Sequence, residues 1–107
     1  METVYLESAP SRAQVESSQG PVLLEFGANW CGHCRSAQPA LTAAMAGHGG
    51  VAHHKIEDGP GRLLGRAFAV KLWPTMVFLR DGKEVARLVR PLKETDISAA
   101  LAQIDPV

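Results

Sequence analysis

Val22-Leu23-Leu24-Glu25-Phe26-Gly27-Ala28-Asn29-Trp30-Cys31-Gly32-His33-Cys34 is the stretch whose reading decides the fold. It holds both cysteines of the 107-residue chain, separated by a glycine and a histidine. The apolar run Val22 to Phe26 reads as a strand buried on both faces, interrupted by one acid at Glu25. Behind the cysteines, Cys34, Ala37, Leu41, Ala44 and Met45 recur at helical spacing, and Gly47 to Gly50 end that helix. A strand ahead and a helix behind place the first sulfur at a helix N-terminus. Unpaired backbone N–H groups and the positive end of the helix dipole stabilise a thiolate there. The thiolate is the form that attacks a disulfide, and two thiols at this spacing close a small ring with little rearrangement. The pattern therefore points to thiol–disulfide exchange.

Outward from the motif, the elements follow from punctuation and periodicity. Thr3 to Leu6 is expected as a short strand. Ser8 to Ser18 is expected as a helix, with Pro10 and Ser11 as start signals and Gly20-Pro21 as the stop. Pro39 falls inside the motif's helix and is expected to kink it. Val51 to Ile56 reads as a strand, Gly59-Pro60-Gly61 as a turn, and Arg62 to Ala69 as a short helix. Thr75 to Leu79 and Glu84 to Val89 flank Asp81-Gly82, a strong hairpin signal. Ile97, Ala100, Leu101 and Ile104 form the apolar stripe of a closing helix. This order predicts an α/β fold, a mixed sheet with helices on both faces.

Composition narrows the function classes. Hydrophobic residues make up 46% and charged residues 21%, within the globular range, and the formal net charge is zero. No basic excess points to nucleic acid or an anionic membrane surface, and no apolar stretch reaches the length needed to span a bilayer. The chain is expected to be one domain over residues 1–107 and a monomer. Met1 to Leu6 lacks the basic start and apolar core of a secretory leader, so a cytoplasmic location is expected. A structural disulfide is unusual in that compartment, which leaves redox cycling or metal binding for the cysteine pair.

With these elements in place, the chain resembles the thioredoxin family over nearly its whole length. Six landmarks carry the resemblance in order: Glu25 in the strand before the motif; Trp30-Cys31-Gly32-His33-Cys34 with Arg35 following; Pro39 five residues after the second cysteine; Lys55 on the next strand; Pro74-Thr75 opening the hairpin; and Gly82 at its turn. The Cys-Gly-His-Cys motif, the Glu at position 25 and the aromatic Trp73 before the proline are similar to the catalytic domains of protein disulfide isomerases. The resemblance implies a thioredoxin fold, a central mixed sheet of about five strands flanked by about four helices.

It also implies roles. Cys31, exposed at the helix start, attacks a client disulfide, and buried Cys34 resolves the mixed disulfide. Gly32 and His33 tune the pair, the imidazole favouring the Cys31 thiolate and making the protein more oxidising. A potential between about −270 and about −180 mV is expected, the values for thioredoxin and protein disulfide isomerase. Glu25 lies under the motif near Cys34 as a proton shuttle, its proton affinity raised by burial and partly offset by Lys55. Pro74 matches the family's cis-proline, beside which an extended client segment adds as a strand, with Trp30, Trp73 and Thr75 in the contact surface. The two cysteines carry the electrons, so no cofactor and no metal is implied; the partners are disulfide-bearing client proteins and an upstream reductase or glutathione. Two positions depart from the family. Gly27 stands where an aromatic residue is frequent, leaving space beside the motif, and Arg90 stands where a glycine is usual.

Two other classes remain open from the sequence. Cys31, Cys34, His48 and His53 nearly satisfy the spacing of a two-cysteine, two-histidine zinc site. Pro39 and Trp30 have no task in such a site, and His48 lies in a glycine-rich helix terminus. A non-catalytic adaptor on the same fold, serving one dedicated client, is the other alternative.

Overall fold

Among the described residues, four helices and four strands follow in the order α1 (Arg12–Glu16), β1 (Pro21–Gly27), α2 (Gly32–Met45), β2 (Ala52–Glu57), α3 (Leu63–Ala67), β3 (Thr75–Arg80), β4 (Lys83–Val89) and α4 (Glu94–Ile104). They come from a computed structural model that describes residues 3–106; Met1, Glu2 and Val107, two of which belong to the stretch read above for a leader, lie outside the described residues. The sheet order is β2-β1-β3-β4, with β1 parallel to β2 and antiparallel to β3, and β3 antiparallel to β4. Alternation along β1 divides its side chains between two layers. Leu23 packs with Met76, Phe78, Leu41, Ile97 and Leu101 on the α2 and α4 face. Val22, Leu24 and Phe26 pack with Val77, Leu79, Val15, Leu64 and Phe68 on the α1 and α3 face. Glu25 shares the parity of Leu23, so the acid of β1 faces α2.

The sheet has four strands rather than about five, because the expected Thr3 to Leu6 strand reduces to one bridge between Leu6 and Ile56. Asn29 is the reason. Its Oδ1 accepts from Tyr5 N at 2.8 Å and its Nδ2 donates to Tyr5 O at 3.1 Å, which takes the Tyr5 backbone out of any ladder. Only Leu6, bonded to Lys55 O and Glu57 N, continues the sheet beyond β2.

The first helix is shorter than the Ser8 to Ser18 expected. Ser11 is its N-cap and, with Gln14, completes a capping box. Pro10 biases the residue before it away from helical dihedrals, so the helix begins after it. The Ser17 and Ser18 hydroxyls bond back to Gln14 O and Val15 O at the other end. In α3 the helix proper is confined to Leu63–Ala67, with Arg62 and Phe68 as caps. The second helix runs on both sides of Pro39, whose ring lies at the exposed face, where the missing N–H strands no buried carbonyl partner.

Candidate active site

The sharp step from β1 to α2 makes Cys31 the N-cap of the long helix. Its Sγ accepts the Cys34 backbone N–H at 3.3 Å, the N-cap geometry usually supplied by a hydroxyl or carboxylate. Both cysteines are free thiols. Cys31 is more covered than expected, at 7% exposure, because Trp73, Ala28 and Tyr5 pack around the pair. Cys34, one turn in, is buried. Burial, and next the hydrogen bond with Cys31, push the Cys34 thiol up to about 11, so it rests protonated at neutral pH. His33 and Gly32 lie exposed on the first turn of α2.

Glu25 is fully buried beneath the motif and has four polar partners. The Tyr5 hydroxyl donates to its Oε2. Gln38 Nε2 donates to the same oxygen at 2.9 Å, and Lys55 Nζ at 3.1 Å. His53 Nε2 sits 2.9 Å from Oε1. Lys55 is the register partner of Glu25 across the parallel pair β1/β2, and His53 lies two residues earlier on the same face. The outcome reverses the expected titration. Burial acts to raise the carboxyl, but the His53 bond, the Lys55 charge and the Tyr5 and Gln38 bonds outweigh it and lower it to about 2. Glu25 is an anion at neutral pH, held by donors rather than stranded in an apolar pocket. Its reach to the motif runs through neighbours, since Gln38 Nε2 also donates to Cys34 O at 2.8 Å and Tyr5 packs with both cysteines.

The space predicted beside Gly27 is filled. A β-carbon on residue 27 would fall 2.6 Å from Cys34 Sγ and 2.8 Å from Tyr5 Cζ. The aromatic ring missing from position 27 is thus supplied by Tyr5, a residue the sequence reading left without a role. The available signal was the pairing of a bare glycine two residues after the acid with a lone tyrosine in the short strand expected over Thr3 to Leu6.

On the rim, the Trp73–Pro74 peptide is cis. Trp30, 71% exposed, meets Trp73 edge to face with centroids 5.6 Å apart. Trp73 is fixed by its Nε1–H, which donates to Asp58 Oδ2 at 2.8 Å, and Thr75 by its hydroxyl, which donates to Leu72 O at 2.6 Å. Arg90 adopts φ +53° and donates its backbone N–H to Pro74 O at 2.9 Å. Its Nε–H donates to Trp73 O at 2.8 Å, so the guanidinium lies over the carbonyl just before the cis-proline.

The rival zinc set is not brought together. Cys31 and Cys34 sit at the start of α2, whereas His48 follows its other end and bonds Asp105 Oδ2 at 2.8 Å. The helix between them is about 20 Å long at its rise per residue. His53 is committed to Glu25. Among the described residues no group of three or more metal-ligating side chains converges.

A free dithiol with its first sulfur capping a helix, over a buried carboxylate and beside a cis-proline, defines a thiol–disulfide oxidoreductase. Comparison with known proteins agrees. The Thioredoxin family model matches residues 2–103. The reduced form of thioredoxin 2 from Pseudomonas aeruginosa PAO1 superposes with a TM-score of 0.86 at 52% identity, covering 97% of this chain and 96% of that one. Thioredoxin H-type 1 of Nicotiana tabacum is 36% identical over 73 residues, which span 68% of this chain and 58% of that protein. A bifunctional thioredoxin reductase/thioredoxin of Mycobacterium leprae is 30% identical over 105 residues, 97% of this chain and 23% of that protein. The chain belongs to the thioredoxin family.

Proposed function

We propose that the chain reduces, or exchanges, disulfides in client proteins, with Cys31 as nucleophile and Cys34 as resolving thiol. The Cys31 thiolate attacks one sulfur of a client disulfide; the Cys31–client bond forms, the client S–S bond breaks, and one client thiolate leaves. Cys34 then loses its proton and attacks Cys31 Sγ. The Cys31–Cys34 disulfide forms and the second client thiol departs, carrying the second of two electrons. The observation that carries this reading is the asymmetry of the pair. Cys31 Sγ caps the helix and accepts the Cys34 N–H, whereas Cys34 lies one turn further in, at 1% exposure against 7% for Cys31.

Trp30, Trp73 and Thr75 with Pro74 receive an extended client segment as an added strand, and Gly32 and His33 tune the pair from the exposed first turn. Glu25 supports proton transfer at Cys34, and Lys55 holds it ionised. The two thiols supply the electrons without a cofactor, and an upstream reductase or glutathione restores them; the fusion of a reductase to a related domain in Mycobacterium leprae supports the former. Among the described residues no helix is long and apolar enough to cross a membrane. A reducing compartment such as the cytosol suits a monomer whose dithiol must be regenerated.

The test is covalent capture. Cys34→Ser should accumulate a mixed disulfide between Cys31 and a disulfide-bonded protein, and Cys31→Ser should form none and reduce nothing while keeping its fold. Disulfide reduction retained by Cys31→Ser would overturn the assignment.

A further inference from the structure

Resolution requires the Cys34 proton to leave a buried site, and the partners of Glu25 differ sharply in their fitness to carry it. Lys55 is an ammonium and Gln38 an amide, so neither accepts and passes a proton. His53 contacts Glu25 through Nε2 and has no partner at Nδ1 among the described residues, so no group receives a proton from its far side. Among the four, Tyr5 alone carries a hydroxyl, which takes up one proton as it gives up another, and alone packs against both cysteine side chains. Its hydroxyl donates to Glu25 Oε2, and its ring packs with the Cys34 side chain in one buried cluster. The point where a β-carbon of residue 27 would sit lies 2.6 Å from Cys34 Sγ and 2.9 Å from the Tyr5 hydroxyl oxygen, so phenol and thiol close over Gly27 together.

We infer that Tyr5 is the proton conduit of the resolving step, the group through which Glu25 acts on Cys34. This rests on the exchange reaction proposed above. As Cys34 Sγ attacks Cys31, its S–H proton passes to the Tyr5 oxygen while the Tyr5 proton passes to Glu25 Oε2. The Cys31–Cys34 bond forms, the Cys31–client bond breaks, and the client sulfur leaves with the electron pair. Glu25 then releases the proton, and the client thiolate takes one up from solvent. A cavity of about 300 Å³ lined by Tyr5, Cys34, Arg35, Gln38 and Lys55 provides the way out.

The surroundings of Tyr5 fit a positioned group. Its backbone is clamped on both sides by Asn29, next to Trp30 and the motif. Lys55 Nζ stands 4.1 Å from its ring centroid. Burial, then the Glu25 charge and hydrogen bond, hold the phenol far above its usual range, so the hydroxyl keeps its proton between turnovers. Glu25 is ionised at rest, so its Oε2 offers a lone pair to the proton that the Tyr5 hydroxyl gives up.

The experiment follows the two thionitrobenzoate releases when the full reduced chain reacts with a slight excess of dithiobis(nitrobenzoate). The first release reports attack by Cys31, the second resolution by Cys34. Tyr5→Phe removes one oxygen and keeps the ring. It should leave the first release unchanged and slow the second by about tenfold or more across neutral pH, as loss of a proton-transfer group does. Glu25→Gln should slow the second release too, and the double variant should be no slower than the slower single one, because the two act in one chain. Incorporation of a fluorotyrosine at position 5, which retains the hydroxyl, should restore the second release. The proposal is overturned if Tyr5→Phe resolves within about twofold of the parent at every pH, or if the two variants slow resolution additively. A parent chain giving no second release would contradict the exchange reading itself, a different result from either.

Discussion

Glu25 shows how partners decide the chemistry of one carboxylate. From the sequence, an acid inside an apolar strand reads as desolvated and hard to ionise. The fold surrounds it with a phenol, an amide, an imidazole and an ammonium, drawn from the N-terminal segment, α2 and β2, and the balance reverses. Its affinity for protons is depressed in the folded state, from 4.5 to about 2. The stabilisation it brings is therefore complete above the unfolded value and is lost as pH falls through the folded one. Two observations check this. The Glu25 side-chain carboxyl carbon resonance should stay at its ionised position from neutral pH down to about pH 4, and urea unfolding should show the Glu25-dependent stability, absent in Glu25→Gln, declining only as the pH falls from 4.5 toward 2. Movement of that resonance near neutral pH would contradict the arrangement. Cys31, Cys34 and Glu25 stand out in one local pattern, the spaced cysteines after an apolar strand with a lone acid, whereas Lys55, Trp73 and Pro74 were marked only by the resemblance to the family. Tyr5 and His53 were not legible, because neither spacing nor composition announces that β2 and a segment near the N-terminus fold over the same carboxylate.

Elements were legible where periodicity and punctuation agreed. The hairpin turn fell at Asp81-Gly82 as its dipeptide required, both residues at positive φ, and the stripe Ile97, Ala100, Leu101 and Ile104 is buried as one face of α4. The Thr3 to Leu6 strand failed for a reason no local pattern carries, namely that the Asn29 side chain claims the backbone of Tyr5. The end of β4 shows a second such effect. The β3/β4 ladder continues past Val89 to the bond from Arg90 N to Pro74 O, and the Arg90 side chain then folds onto Trp73 O. In the proposed client complex that carbonyl accepts from the added strand, so Arg90 competes with the client. Arg90→Gly also suits φ +53°. It relieves left-handed strain while loosening the unfolded chain, and these offset to within about 1 kcal/mol. The variant should keep parental stability and show a lower KM for a disulfide-bonded protein, with no change for a small aromatic disulfide. An unchanged or higher KM for the protein substrate would show that the guanidinium does not obstruct the edge.

At the scale of the molecule, two apolar layers hold the sheet from both sides, and the redox pair sits at the C-terminal end of its inner strand β1, where the strand hands over to a helix. The class of fold was readable from the alternation of elements, since short β-α connections and a hairpin leave few ways to bury both faces of one sheet. What the alternation does not reveal is how the interior is wired. The buried cluster around Glu25 joins the first strand, the second strand, the long helix and the N-terminal segment, and its composition departs from a simple buried acid by one tyrosine and one histidine. The central claim remains that Cys31 and Cys34 form a reversible two-electron couple suited to exchange with protein disulfides. Equilibration of the full chain in defined glutathione buffers, with the thiol content read after acid quenching, tests it most directly. The account predicts a single two-electron transition between about −270 and about −180 mV. Thiols that stay reduced across the whole buffer range, with no reversible transition, would contradict it.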